Sequence, residues 1–318
     1  MERFKINNPI TKTEMLKVNL NIDVLCVGHA CFDLIFAVDR HLGPDEKGVA
    51  SSFKSCGGGP AANAAVTASR LGYKVAFAGY LGNDIYGKKH IKQLEKESVI
   101  TDLVVRGSSP TPLSAILVKP DGKRTLINYR GSTKRLKIDD IDFSNCNPKA
   151  ILFDGLEPEI SFPLAEFARE HGIPAIMDAG SVHYGTQKLT NLVDYIVASK
   201  KFACEFTSET DEEKAVKKLS EYAPSVVVTL GERGLIWKDN RDMGWKPAFT
   251  VDAVDTTGAG DAFHGAFAAG IVDGKKWDEL LRYSSAVAAL CCTKLGARLG
   301  IPTSEEVKEF LENTGVKV

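Results

Sequence analysis

Residues 252–270, DAVDTTGAGDAFHGAFAAG, set Thr256 and Thr257 ahead of Gly258, Ala259, Gly260 and Asp261, then run on through small apolar residues. This run is predicted to be helical from about Gly260 onward. The first turn of a helix has backbone N–H groups without internal partners and the positive end of the macrodipole, so it attracts anions. Glycines at 258 and 260 let the backbone approach a phosphate closely, and the alanine between them adds no bulk. Asp261 is the odd member, because a fixed carboxylate beside an anion hole repels phosphate unless it has a separate task such as taking a proton. Charge neutralisation next to an alcohol-activating base suits phosphoryl transfer. The commoner role of an Asp in a first helical turn is to offset the dipole.

The whole string resembles the C-terminal motif of the ribokinase, or PfkB, family of carbohydrate and nucleoside kinases. By that resemblance Asp261 is the catalytic base, Gly258, Ala259 and Gly260 form the anion hole, and the cofactors are ATP and Mg²⁺. Thr256 and, on the later Ala-rich helix, Ser285 are assigned by the same resemblance to the nucleotide site.

Upstream, residues 23–28, DVLCVG, form an apolar run ending in glycine, which reads as a buried parallel strand with its chemistry at the C-terminal end. Asp33 follows at the start of an alternating stretch. Family members hold sugar hydroxyls with an Asp at this offset, and a carboxylate accepts two hydroxyl hydrogen bonds at once. Residues 57–72, GGGPAANAAVTASRLG, are a glycine turn and an Ala-rich helix with Asn63 in its first turn. They resemble the family's N-terminal motif, in which Gly58, Gly59 and Asn63 would bind the sugar. A rival physical reading, the G-x-G-x-x-A dinucleotide fingerprint at Gly57, Gly59 and Ala62, needs an acid at the end of the next strand. That strand is predicted at Val75 to Gly79, where no acid stands.

Leu113 to Lys119 and Lys123 to Tyr129 flank Pro120, Asp121 and Gly122, a hairpin signal. With strands at about 31–38 and 47–55, the pair at 113–119 and 123–129 is expected to form a small β-sheet lid that keeps water from the site. From Ala150 onward strand and helix alternate, with Asp178 at one strand's C-terminal end. The fold expected is α/β and ribokinase-like: a central, mostly parallel sheet flanked by helices on both faces, with the lid. Residues 1–20 are expected to be an N-terminal extension and 21–318 the domain.

Ser225 to Trp237 runs from an apolar strand into a glycine turn, and Thr229, Gly231 and Gly234 resemble the family's nucleotide-phosphate loop. The family commonly has Asn-x-x-Glu after the preceding strand. Here Ser199, Lys200, Lys201 and Phe202 stand there, and Glu205 is the nearest acid. CTKLGARLGIP, residues 292–302, resembles the segment lining the adenine pocket and a monovalent-cation site of the kind K⁺ fills. Its carbonyl ligands would be Thr257, Cys291, Lys294 and Gly296, with the Asp255 carboxylate, although Gly300 stands where many members place a serine.

In its wording the chain is similar to a bacterial branch that includes sulfosugar kinases, where Lys, Asn and Arg read an anionic sugar. Lys47 and Asn128 match. Leu156 takes the place of the Arg, with Arg130 the candidate substitute. The substrate is therefore expected to be a small sugar, anionic or neutral, and the family's lid implies a homodimer. Two further readings stand beside it: a nucleoside kinase with a base slot near Phe32 or Phe36, and a non-catalytic nucleotide- or sugar-binding regulator.

Composition narrows the rest. Lys plus Arg number 40 against 41 Asp plus Glu in 318 residues, which gives no basic field for nucleic acid or membrane. The start, MERFKINNPITKTEMLKVN, lacks the apolar core of a signal peptide, so the chain is read as cytoplasmic. The 7 cysteines are scattered without a C-x-x-C pair, against both a disulfide framework and zinc. There is no G-x-x-x-x-G-K-[ST], which excludes a Walker loop.

Overall fold

The structure, a computed structural model, describes residues 20–314. The expected extension lies outside it except for Leu20, which opens the first strand. In chain order the first elements are β1 (Leu20–Val27), β2 (Cys31–Ala37), β3 (Ser52–Gly58), α1 (Pro60–Arg70), β4 (Val75–Gly82), α2 (Ile85–Lys96), β5 (Val104–Gly107), β6 (Leu113–Val118) and β7 (Arg124–Tyr129). Next come β8 (Cys146–Phe153), α3 (Pro158–His171), β9 (Ala175–Ala179), α4 (Tyr184–Leu189), β10 (Tyr195–Ser199), α5 (Lys200–Thr207), α6 (Glu212–Leu219) and β11 (Ser225–Thr229). The chain closes with β12 (Leu235–Lys238), β13 (Met243–Lys246), α7 (Ala259–Val272), α8 (Trp277–Cys291), α9 (Ala297–Gly300) and α10 (Ser304–Asn313).

A nine-stranded sheet runs in the order β13-β12-β11-β10-β9-β8-β1-β4-β5, parallel from β11 to β5 and closed at one edge by the antiparallel β12 and β13. Strands buried on both faces read as continuous apolar runs, and β1 shows why: Val24 and Cys26 enter one core while Leu25 and Val27 enter the other. The first core is covered by residues of α1, α7, α8 and α10, the second by α3, α5 and α6. α7 is buried from Ala262 to Gly270, so it needs small residues all round rather than one apolar stripe. At Gly265 an added Cβ would come within 2.5 Å of the Ala64 carbonyl, so α1 and α7 touch backbone to backbone.

From β1 the chain proceeds outward to β4 and β5 on one side; from β8 it proceeds to β9, β10 and β11 on the other. The carboxyl ends of β1 and β8 therefore flank the topological switch point, where open α/β sheets bind ligands.

The second sheet has four strands in the order β3-β2-β6-β7, with β2 and β6 parallel. It is the expected lid with one boundary corrected: the strand anticipated at 47–55 occupies Ser52–Gly58, because pairing begins where Ser52 meets Ala37. Lys47 consequently lies in an exposed loop. The dinucleotide alternative fails on topology, since Gly57 belongs to a lid strand and not to a parallel strand of the main sheet. The next strand, expected to end at Gly79, runs on to Gly82, and the acid beyond it, Asp84, caps α2 by accepting from the Gly87 N–H at 2.8 Å.

Candidate active site

Gly258 caps α7 in the left-handed region (φ 79°), and a Cβ there would lie 2.5 Å from that of Ala297, so both conformation and close approach require glycine. Among the described residues the N–H groups of Gly258, Gly260 and Asp261 have no protein partner, and a Cβ on Gly260 would meet nothing within 4 Å. This is an open helix N-terminus with free donors. Thr256 lies exposed beside it.

Asp261 projects from the first turn and accepts a hydrogen bond from Asn63 Nδ2 at 2.8 Å. Burial first, and then the Asp178 carboxylate, push its pKa up to about 6, against the pull of Asn63, His264 and Arg124. Asp178, at the end of β9, is itself raised by burial. His264 does not face the cleft. Its Nδ1 lies 2.6 Å from the Gly260 carbonyl oxygen and 3.5 Å from Asp178, and its Nε2 lies 3.0 Å from the Val197 carbonyl oxygen, tying the first turn of α7 to β9 and β10.

Asn63 stands in the first turn of α1, behind Gly59 (φ 99°), whose Cβ would lie 2.5 Å from the His29 carbonyl oxygen. The other two glycines of the trio make room for side chains: a Cβ on Gly58 would overlap the Asp33 carboxylate, and one on Gly57 would overlap His90 and Arg298. Asp33 is 5% exposed, accepts from Cys31 Sγ at 3.2 Å, and is raised by burial. Strand register aligns Cys56, Asp33, Ser114 and Asn128 across the lid, on the face that buries Ile35, Ile116 and Val118. Within that row Ser114 Oγ donates to Asn128 Oδ1 at 2.9 Å. The Arg124 guanidinium acts electrostatically on both Asp33 and Asp261.

Arg130, just past β7, brings Nη2 to 3.4 Å from the Leu156 carbonyl oxygen and 3.5 Å from both Glu157 Oε1 and His29 Nδ1. Its cation thus reaches the backbone of Leu156, the position where sequence comparison had left an arginine missing. Lys47 makes no ion pair among the described residues.

Thr229 ends β11 in register with Ser199, and Gly231 (φ 62°) and Gly234 (φ 92°) shape the turn after it. Ser285 is part-buried on α8. No hydrogen bond among the described residues ties these to Asp261. Where the family has Asn-x-x-Glu, Ser199 Oγ accepts from the Phe202 N–H at 3.0 Å, Phe202 is buried against Phe206, and Glu205 is exposed.

The segments expected to hold a cation do converge. Asp255 accepts from the Thr257 N–H (2.9 Å), Thr257 Oγ1 (2.6 Å) and the Gly296 N–H (2.8 Å). The Cys291 thiol lies 4.0 Å from the Thr257 carbonyl oxygen and 3.6 Å from that of Ala297. Lys294 pairs its side chain with Glu306 at 2.8 Å.

Sequence reasoning missed three buried groups. Asp154 follows β8 at the switch point and fills the space left by Gly28. It accepts backbone N–H bonds from His29 (2.7 Å), Leu156 (2.9 Å) and Ala61 (3.2 Å), while burial pushes it up to about 7. An acid directly after the apolar run at 150–153 was the available signal. Arg298 and His90, buried beneath Gly57, carried no comparable signal.

Residues 21–304 match the model of the pfkB family carbohydrate kinases. The chain is similar to a ribokinase of Haemophilus influenzae, 29% identical over 294 residues, covering 88% of this chain and 95% of that one. Among solved structures it resembles a ribokinase from Thermotoga maritima, 30% identical with a TM-score of 0.81, covering 92% of this chain and 100% of that one. It also resembles an Arabidopsis thaliana ribokinase complexed with ribose and ATP, 26% identical with a TM-score of 0.81, covering 92% and 99% respectively. The fold is ribokinase-like.

Proposed function

The chain belongs to the pfkB family of carbohydrate kinases, and we propose that it transfers the γ-phosphoryl group of ATP to a hydroxyl of a sugar, with Asp261 taking the hydroxyl proton. The observation that carries this reading is the Asp261 carboxylate, held by Asn63 at an open helix end whose N–H groups are free. In such a transfer the protein contributes chiefly positioning and charge neutralisation. The N–H groups of Gly258, Gly260 and Asp261 would face developing negative charge, one such donor being worth about 2.7–4 kcal/mol. Asp33 and the backbone at Gly58 and Gly59 would hold the sugar, and the loop at Thr229, Gly231 and Gly234, with Thr256 and Ser285, would bound the nucleotide.

Among the described residues no group of three or more His, Cys, Asp or Glu could cage a metal. Mg²⁺ would arrive on the phosphate oxygens of ATP with its own waters, where it would neutralise charge. The Asp255 carboxylate accepts three donors and keeps a free lone pair beside the carbonyls of Thr257 and Ala297, so dependence of turnover on K⁺ is decided by assay with and without it.

Arg130 favours an acceptor that carries an anionic group, since its cation sits over Leu156 on the lid side of the site, with Arg124 also facing Asp33. A nucleobase slot is less well served. Phe32 is buried against Tyr86 at 5.4 Å, and Phe36 packs on Phe53 on the lid face opposite Asp33. That outer face also exposes Ile127 and Tyr129, which supports pairing of two copies through the lid.

The test is ATP turnover against neutral sugars, anionic sugars and nucleosides, with and without K⁺. Saturable phosphorylation of a sugar is expected, and the K⁺ arm reports whether the segments around Asp255 hold a cation. Faster turnover of a nucleoside would replace the sugar reading, and ATP binding with no transfer to any acceptor would leave a regulator.

A further inference from the structure

Arg298 lies on the four-residue α9 and is 3% exposed, yet no carboxylate comes within ion-pairing distance of it among the described residues. Its guanidinium occupies the space that Gly57 leaves free, between α1, α2 and β3. Nη2 lies 3.2 Å from Asn63 Oδ1 and 3.0 Å from His90 Nε2, while Nη1 and Nε have no hydrogen-bond partner. A buried cation with so few partners is costly to keep. An apolar side chain of similar volume would fill this space without that cost.

What the guanidinium does uniquely is settle an ambiguity. An amide can present either its oxygen or its nitrogen, but a guanidinium only donates. With Arg298 on one side, Asn63 must turn Oδ1 toward it and Nδ2 toward Asp261, which is the 2.8 Å bond observed. The same logic makes His90 Nε2 an acceptor, consistent with burial holding that imidazole neutral. We propose that Arg298 is a positioning residue for phosphoryl transfer: it fixes the Asn63 amide so that Asp261 has one oxygen held and the other free for the acceptor hydroxyl.

This rests on Asp261 being the base. Other groups also face that carboxylate: Asp178 from β9, His264 from α7, Arg124 from the lid and Cys291 from α8. All of them remain when Arg298 is replaced, but its own charge, which also acts on Asp33, is lost with it, so the charge-keeping Arg298→Lys and the uncharged change at Asn63 separate that loss from the relay. A hydrogen bond to the ionised form favours it, so loss of an oriented Asn63 moves the Asp261 titration to higher pH.

In the protein, Arg298→Met is expected to move the acid limb of kcat upward by ~0.5–1 pH unit, lowering kcat by ~3–10-fold well below pH 6 but by no more than ~2-fold at neutral pH, with KM for ATP unchanged. Arg298→Lys, which keeps one donor, should recover part of the shift. Asn63→Leu should shift the limb as far, and the double variant no further, because both act through one bond. A ¹³C-carboxyl titration of Asp261 in the resting protein reads the same shift without turnover, so failure of the relay and failure of the kinase reading come apart. Should Arg298→Met not fold, Arg298→Lys and Asn63→Leu still decide. An unmoved Asp261 titration in folded variants, or shifts that add independently, overturns the proposal.

Discussion

At the scale of single residues the site depends on how Asp261 is balanced. Burial and Asp178 push its carboxyl up while Asn63, His264 and Arg124 hold it down, leaving it near 6. A base must be ionised, so kcat should fall as pH drops through about 6 and level off above it. Asp261→Asn should lower kcat by ~10²–10⁴ while sugar binding, measured by equilibrium titration, stays close to that of the unaltered protein. Near-normal turnover in that variant removes Asp261 from the chemistry. Asp261, Asn63 and Asp33 stand out in the sequence through resemblance to the family's motifs at a glycine turn or strand end. Arg298 was not, because a lone arginine among GARLGIP looks like a solvated side chain until Gly57, far away in sequence, is seen to leave a hole for it.

At the scale of elements the lid has two chemically different faces. Alternation sends Asp33, Ser114 and Asn128 inward and leaves Phe53 (56% exposed), Ile127 (66%) and Tyr129 (58%) outward. Apolar groups this exposed on a sheet face suit a second copy. If two copies pair through the lid, the unaltered chain should sediment as a dimer and Phe53→Glu with Ile127→Glu should yield monomers by sedimentation equilibrium. A chain already monomeric at micromolar concentration would exclude the lid contact. Alternation after Asp33 and the hairpin pattern at 113–129 mark three lid strands, whereas the strand expected at 47–55 begins only at Ser52, where pairing with Ala37 starts.

For the whole molecule, alternation of apolar runs and helices from Ala150 onward made the parallel sheet legible, and the order of strands then follows from the switch between β1 and β8. What the sequence did not display is how distant the meeting parts are: Asn63 is 198 positions from Asp261 and 235 from Arg298. All the described strands end by Lys246, whereas α7, α8 and α10, which with α1 cover one face, come later. A chain ending at about residue 250 should keep its strands yet bind an apolar dye and self-associate. A soluble, dye-silent monomer would show that α7 is not needed to close that core. The same order of parts bears on synthesis. While the last helices are still inside the ribosome, at roughly 5–20 residues added per second, the emerged sheet has one greasy side covered only in part, by α1, for several seconds, a target for holding chaperones. The open helix end at Gly258 to Asp261 is then among the last pieces to arrive, so on the proposed mechanism no half-made chain can consume nucleotide.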